Sequence, residues 1–328
     1  MAESQRLSPP TKADSQEGSG RGLDPRVADR LARLNLAVNQ AVEGFLGGRH
    51  RSPHRGVSVE FVERRPYVQG DDLRHLDWKA YARSDRLSIK RYEEETNLEC
   101  TLVVDASASM AYPVEGAKPA KGATPTEGLS KYDYACQAGM ALAHVVLRER
   151  DGAALALFDQ ALDRVLTAST SPGQLAVIAR ALVERDPAQT TDLSAVLGQL
   201  TERVRRPGIV VLLSDLFGDV KQLDQGLGFL GTRNHDVIVL HVMHRDELEL
   251  PFDRLTRFEG MEDDSRLMVD PTAIQASYKE VVDTWRDEVR LICHRRGADY
   301  QLLDTSQPLE LTLAAYLGAR KARLGRMR

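Results

Sequence analysis

Cysteine is scarce in this chain. Its three residues, Cys100, Cys136 and Cys293, stand far apart with no Cys-x-x-Cys pair. That excludes a disulfide framework and a thiolate zinc site, and it fits reduced thiols in a cytoplasmic protein. Long apolar runs are also missing: none reaches the roughly 18 residues of a membrane-spanning helix, and the polar N-terminus lacks a signal-peptide core. The expectation is a soluble cytoplasmic protein with no membrane span. Neither sign of charge dominates. Lys and Arg number 44 against 48 Asp and Glu, a net charge of -4, so no global field draws the chain to nucleic acid. What the sequence does have is ordinary for a globular protein. With 42% hydrophobic and 28% charged residues over 328 positions, it can build one large or two modest domains with a full core.

Residues 1–22 are rich in Ser, Pro, Gly and charge, the composition of a disordered tail. Val27, Leu31, Leu34, Val38, Val42 and Phe45 then recur at helical spacing until Gly47-Gly48 stops the pattern. Over 56–98 the period shortens. Val57-x-Val59-x-Phe61 and Leu87-x-Ile89-x-x-Tyr92 read as strands around a charged, turn-rich centre, Gln69-Gly70-Asp71-Asp72. The organisation this predicts is a tail over 1–22, a helix and β-rich extension over 23–98, and a main domain over 99–328.

Beyond Glu99 strands and helices alternate. Strands are predicted at 100–105, 153–158, 162–166, 209–214, 236–242 and 299–303, and helices at 131–148, 172–184, 193–204, 219–230, 275–295 and 309–323. Residues 209–213 and 237–240 are apolar without interruption, as strands covered on both faces must be. The fold class is therefore α/β, a doubly wound, mostly parallel sheet. Two segments break the alternation: a Pro/Gly-rich stretch over 113–128, read as a flexible loop, and 247–270. In the latter, Arg257-Phe258-Glu259-Gly260 and Arg266-Leu267-Met268-Val269 predict a β-hairpin.

The first strand of this domain ends in Asp105, and hydroxyls follow at Ser107 and Ser109. Three oxygen donors in one turn, short on formal charge, suit a hard divalent cation: magnesium, with manganese or calcium as alternatives. Asp-x-Ser-x-Ser after a hydrophobic strand resembles the metal-ion-dependent adhesion site of von Willebrand factor A domains. The run 209–213 ends in Ser214-Asp215, which puts a second carboxylate at the same rim of the sheet, where ligands gather in open α/β folds. Such sites take a threonine from a loop before a helix, and Thr190-Thr191-Asp192-Leu193 has that context. Thr191 fits best and Thr190 could serve instead, while Thr191 or Asp192 could simply cap the helix. The expected metal set is Asp105, Ser107, Ser109, Thr191 and Asp215, the hydroxyls touching the ion and the carboxylates acting directly or through water. An ion with so few negative ligands keeps a position that a partner's carboxylate can fill.

A second pattern precedes the domain: Glu60-Phe61, Arg65-Pro66-Tyr67, Gly70-Asp71-Asp72, Arg74, Asp77-Trp78 and Ala82-Arg83. Together with the Asp105 turn, it resembles the domain-of-unknown-function 58 family. The resemblance implies a von Willebrand factor A-like fold with an N-terminal β-rich extension. It also implies a MoxR-type AAA+ ATPase, or a client protein with an exposed acidic residue, as partner. The charged block has two readings. Arg65, Arg74 and Arg83 could pair with Asp71, Asp72 and Asp77 around a Trp78 core, or Asp71, Arg74, Asp77, Trp78 and Arg83 could dock a partner. Interleaved acids argue against nucleic acid there.

The leading expectation is thus a metal-dependent protein-binding module rather than an enzyme. One alternative is a metal-assisted phosphoester hydrolase with Asp105 as nucleophile; no Asp-x-Asp pair and no lysine in the turn support it. Another is a scaffold that never binds metal. His241 and His244 lack a Glu or Cys to complete a zinc set and are expected to be structural, as is Cys293.

Overall fold

Buried, uninterrupted apolar strands build the centre of the molecule. The computed structural model describes residues 34, 60–68, 76–93, 98–113 and 129–326. The expected tail, most of the helix over 27–45, the centre at 69–72 with Asp71, Arg74 and residues 114–128 lie outside the described residues. In chain order, β1 (Glu60–Pro66), α1 (Trp78–Ser84) and β2 (Ser88–Glu93) come first, and β1 pairs antiparallel with β2 in a separate two-stranded sheet. Then follow β3 (Glu99–Asp105), a 3₁₀ turn (Ala108–Ala111), α2 (Lys131–Arg148), β4 (Gly152–Phe158), β5 (Leu162–Ser169), α3 (Gln174–Val183), α4 (Leu193–Arg203) and β6 (Ile209–Ser214). The chain continues with α5 (Val220–Gly231), β7 (Asp236–Met243), α6 (Arg245–Glu249), β8 (Thr256–Glu259), β9 (Arg266–Val269), α7 (Pro271–Arg295), β10 (Asp299–Asp304) and α8 (Leu309–Arg326).

Six strands form one sheet in the order β10-β7-β6-β3-β4-β5. All neighbours are parallel except β4 and β5, which pair antiparallel at the edge. The expected doubly wound, mostly parallel α/β fold is what forms. Side chains alternate between the two faces of each strand. Leu102, Val104, Leu155, Leu157, Val211, Leu213, Ile238 and Leu240 pack under α2, α3 and α8. Val103, Ala156, Phe158, Val210, Leu212, Val237 and Val239 pack under α4, α5 and α7. Each fully buried Leu or Val of this kind contributes about 1.5–3 kcal/mol. The edge strand β5 is only partly covered, and there the apolar run gives way to mixed sequence.

Helix starts and close approaches set the helices over the sheet. Ser130 accepts from the Asp133 amide at the start of α2, and Asp192, Asp219 and Asp270 cap α4, α5 and α7 in the same way. Helices α4 and α5 touch closely at Gly226, where an added Cβ would stand 2.6 Å from Leu197 Cδ1.

Chain order and sheet order together locate the site. The chain leaves β3 toward β4 on one side and later enters β6 on the other. The carboxyl ends of β3 and β6 therefore flank the topological switch point, the crevice where doubly wound sheets bind ligands.

One expectation for the charged block is corrected. Trp78 is not a core residue, for it is 64% exposed and meets Tyr81 edge-on on the surface of α1. Leu76 and Asp77 take the buried positions instead, with Asp77 Oδ1 accepting from the Ala80 amide at 3.0 Å. A carboxylate needed at the helix start turns the next side chain outward. Arg83 is exposed.

Candidate metal centre at the sheet switch point

Asp105 ends β3 with no exposed surface. Its Oδ1 accepts from the Ser107 amide at 2.9 Å, and its Oδ2 accepts from the Ser214 hydroxyl at 2.6 Å. Burial first, and Asp215 second, raise its pKa from 3.8 to about 7. The acid is thus held by neutral donors, and no cation of the described residues stands among its hydrogen-bond partners. In front of it, Ser107 Oγ and Ser109 Oγ lie 3.1 Å apart, the first buried and the second partly exposed.

Backbone ladders bring the threonine loop to the same place. The Ala188 amide donates to the Ala106 carbonyl at 2.9 Å, and the Ala108 amide donates to the Gln189 carbonyl at 2.8 Å. Gln189 itself takes a positive φ of 64°, uncommon for a residue with a side chain. The two threonines face different ways. Thr191 Oγ1 stands 3.5 Å from Asp105 Oδ1, whereas Thr190 Oγ1 turns away to accept from Gln160 Nε2 at 2.9 Å. Asp192, not Thr191, caps α4.

Asp215 follows β6 in a strained turn. Leu216 has φ 56°, a conformation that normally costs energy outside glycine and is held here by two contacts. The Leu216 amide donates to Ser214 Oγ at 2.9 Å and the Phe217 amide to Asp215 Oδ1 at 3.1 Å. Behind the turn, the buried imidazole of His241 spans Tyr300 Oη at 2.8 Å and the Asp215 carbonyl at 2.9 Å. Burial lowers its pKa to about 4, so the ring is a neutral brace.

Three charged residues near this rim were not picked out in the sequence. Lys131, the first residue of α2, is fully buried, and its Nζ lies 2.7 Å from Asp215 Oδ2 and 2.5 Å from Glu247 Oε1. Burial alone would lower its pKa, but Asp215 and Glu247 together more than reverse that. Phe217 covers the ammonium at 4.7 Å. Glu247 is anchored in turn by the His244 amide at 2.8 Å, in a capping box that starts α6. Glu262, on the hairpin between β8 and β9, faces Ser109. No spacing rule signals these residues, because each arrives from a different part of the chain through tertiary packing.

The donor set fits a hard cation. It is oxygen throughout, rich in hydroxyls and poor in charge. Among the described residues no group of three or more His, Cys, Asp or Glu is arranged to hold a metal ion, which sets aside a thiolate or imidazole centre. Lys131 does reach the rim, but Asp105 offers no exposed surface and both its oxygens accept hydrogen bonds. The three cysteines are buried, with burial raising the Cys100 and Cys293 thiols to about 12, so neither supplies a nucleophile.

Comparison with known proteins adds a family. The model described as "Protein of unknown function DUF58" matches residues 63–288. The uncharacterized protein Rv1480 of Mycobacterium tuberculosis (strain ATCC 25618 / H37Rv) is 30% identical over 233 residues, covering 70% of this chain and 68% of the relative. The uncharacterized protein Mb1516 of Mycobacterium bovis matches to the same extent. Among solved structures, the conserved hypothetical protein BatB from Bacteroides thetaiotaomicron aligns with 14% identity and TM-score 0.40, over 68% of this chain and 98% of that one. The SpRpn10 VWA domain aligns with 9% identity and TM-score 0.38, over 66% and 94%. No helix among the described residues is long and apolar enough to cross a membrane.

Proposed function

We propose, from the premise that this chain belongs to the DUF58 family, that it is a protein-interaction module whose rim at Asp105 binds magnesium and through it grips an acidic residue of a partner. One observation carries the reading: hydroxyls of Ser107, Ser109 and Thr191 gather at the switch point with the Asp105 carboxylate behind them and Asp215 beside them. Hydroxyls bind a hard cation without neutralising it, so the ion would stay electrophilic toward an incoming carboxylate. Asp105 orients the turn and supplies charge from behind. Asp215, already paired with Lys131, supplies only part of a charge, which keeps the site hungry for an anion.

The chain's own residues shape what can enter. Phe217, exposed by 39%, stacks on Trp285 at 5.3 Å and walls one side of the rim. Tyr112 Oη donates to Asp246 Oδ2 at 2.7 Å and ties the end of the 3₁₀ turn to α6. These contacts brace one side of the rim.

The family resemblance makes a MoxR-type AAA+ ATPase in the cytoplasm the proposed partner, with an acidic client as the other occupant of the same position. Binding of a purified MoxR-type ATPase to the immobilised full chain, in magnesium and in chelator, tests both parts. Capture that is lost in chelator and with Asp105→Ala supports the reading. Capture indifferent to both leaves the chain as a metal-free scaffold.

A further inference from the structure

The hairpin beside the site is built to hold one carboxylate in place. Among the described residues, strands β8 and β9 pair only with each other, in a two-stranded sheet whose side chains are mostly exposed. Its tip is nonetheless tightly specified. The Gly260 amide donates to the Ser265 carbonyl at 2.8 Å, and the Ser265 amide donates to Asp263 Oδ1 at 3.0 Å. A side chain at position 260 would overlap Asp263 Oδ1, so glycine is needed there. This tip projects Glu262 toward the rim, where it faces the hydroxyl and amide of Ser109 and lies within the field of Asp215 and Lys131.

Ser109 bonds to the Glu262 carboxylate, but among the described residues its Oε1 is buried without a hydrogen-bond partner. A buried carboxylate oxygen left unsatisfied costs more than a hydrogen bond is worth. The Asp215 carboxylate also lies within the field of this group. The other groups facing it are Ser109, which favours its charge, and Lys131, whose ammonium is already shared by Asp215 and Glu247. Asp215 and Glu247 thus already share the Lys131 ammonium, and Glu262 lies in the same field. The deficit is one of positive charge, and it lies at Ser109, on the hydroxyl side of the rim.

We infer that Glu262 is an in-chain ligand of the cation site, so that the hairpin closes the rim and a partner's carboxylate enters by exchange with it. The inference rests on the magnesium reading above. It assigns the hairpin a role that the Asp-x-Ser-x-Ser turn alone does not contain. Few buried apolar contacts hold the hairpin, anchored by an edge contact of Phe258 with Phe252 at 5.7 Å, so its opening belongs to the low-cost end of local motions.

The test titrates magnesium into the metal-free full chain and follows hydrogen exchange of residues 256–269, for wild type and Glu262→Gln. Loss of one ligand should weaken magnesium about tenfold, and magnesium should protect the hairpin in wild type but not in the variant. Glu262 is partly exposed on a hairpin, and its amide isostere leaves the fold intact. An unchanged dissociation constant, or a hairpin that magnesium does not protect, overturns the role of Glu262 and leaves the rim reading standing. Failure of wild type to bind magnesium at all overturns both.

Discussion

Lys131 Nζ lies 2.7 Å from Asp215 Oδ2, with both side chains inside the protein. The pair joins the first residue of α2 to the turn after β6, across the switch point of the sheet. It compensates Asp215 and, at 2.5 Å, Glu247, while Asp105 has no cation among its hydrogen-bond partners in the described residues. The electrostatics of the rim follow from that imbalance.

Lys131→Met should be strongly destabilising. Removing one partner of a buried ion pair strands the other charges, at a cost of about 3–5 kcal/mol. Urea unfolding in chelator would measure it, and magnesium should restore part of the loss by supplying the missing charge. A loss below about 1 kcal/mol would mean that water reaches Asp215 and Glu247 and that the pair carries little.

Asp105 gives the metal-free protein a distinctive pH dependence. Its folded pKa of about 7 lies above the usual 3.8 because of burial and Asp215. A carboxyl that binds its proton more tightly when folded adds stability below its unfolded pKa and loses that contribution as pH rises through the folded one. In chelator, wild type should therefore lose stability relative to Asp105→Asn between about pH 4 and about pH 7. Magnesium needs the carboxylate, so its affinity should fall as pH drops below about 7. Parallel stability curves for the two proteins would contradict both statements.

Much of this architecture was legible in the residues. The runs 209–213 and 237–240 read as strands covered on both faces, and Asp192 was one of two residues offered as the cap of the helix that follows it. Asp105, Ser107, Ser109 and Asp215 were legible for the same reason: strand ends in such sheets share one rim. Thr191 was already the better fit of the two threonines, but the contact with Gln160, thirty residues away, that turns Thr190 aside was not legible. Lys131, Glu247 and Glu262 were hidden too, since a lysine opening a helix and acids in turns usually face solvent. Trp78 misled for the opposite reason: large aromatics are normally covered, but here the burial goes to Leu76 and Asp77.

The two threonines should separate cleanly. Thr191→Ala removes a hydroxyl 3.5 Å from Asp105 Oδ1 and should weaken magnesium several-fold, whereas Thr190→Ala breaks only an exposed contact with Gln160 and should leave it unchanged. Calorimetric titration of both variants decides it. Equal effects would remove Thr191 from the ligand set.

The most direct measurement is magnesium binding itself, by calorimetry on the chelator-stripped full chain near neutral pH, beside Asp105→Ala. Saturable one-site binding by wild type is expected. At ten times the dissociation constant, it should be accompanied by about 1.4 kcal/mol of added stability, and the variant should show neither effect. Absence of binding in wild type, or identical binding in both proteins, would contradict a cation at the Asp105 rim.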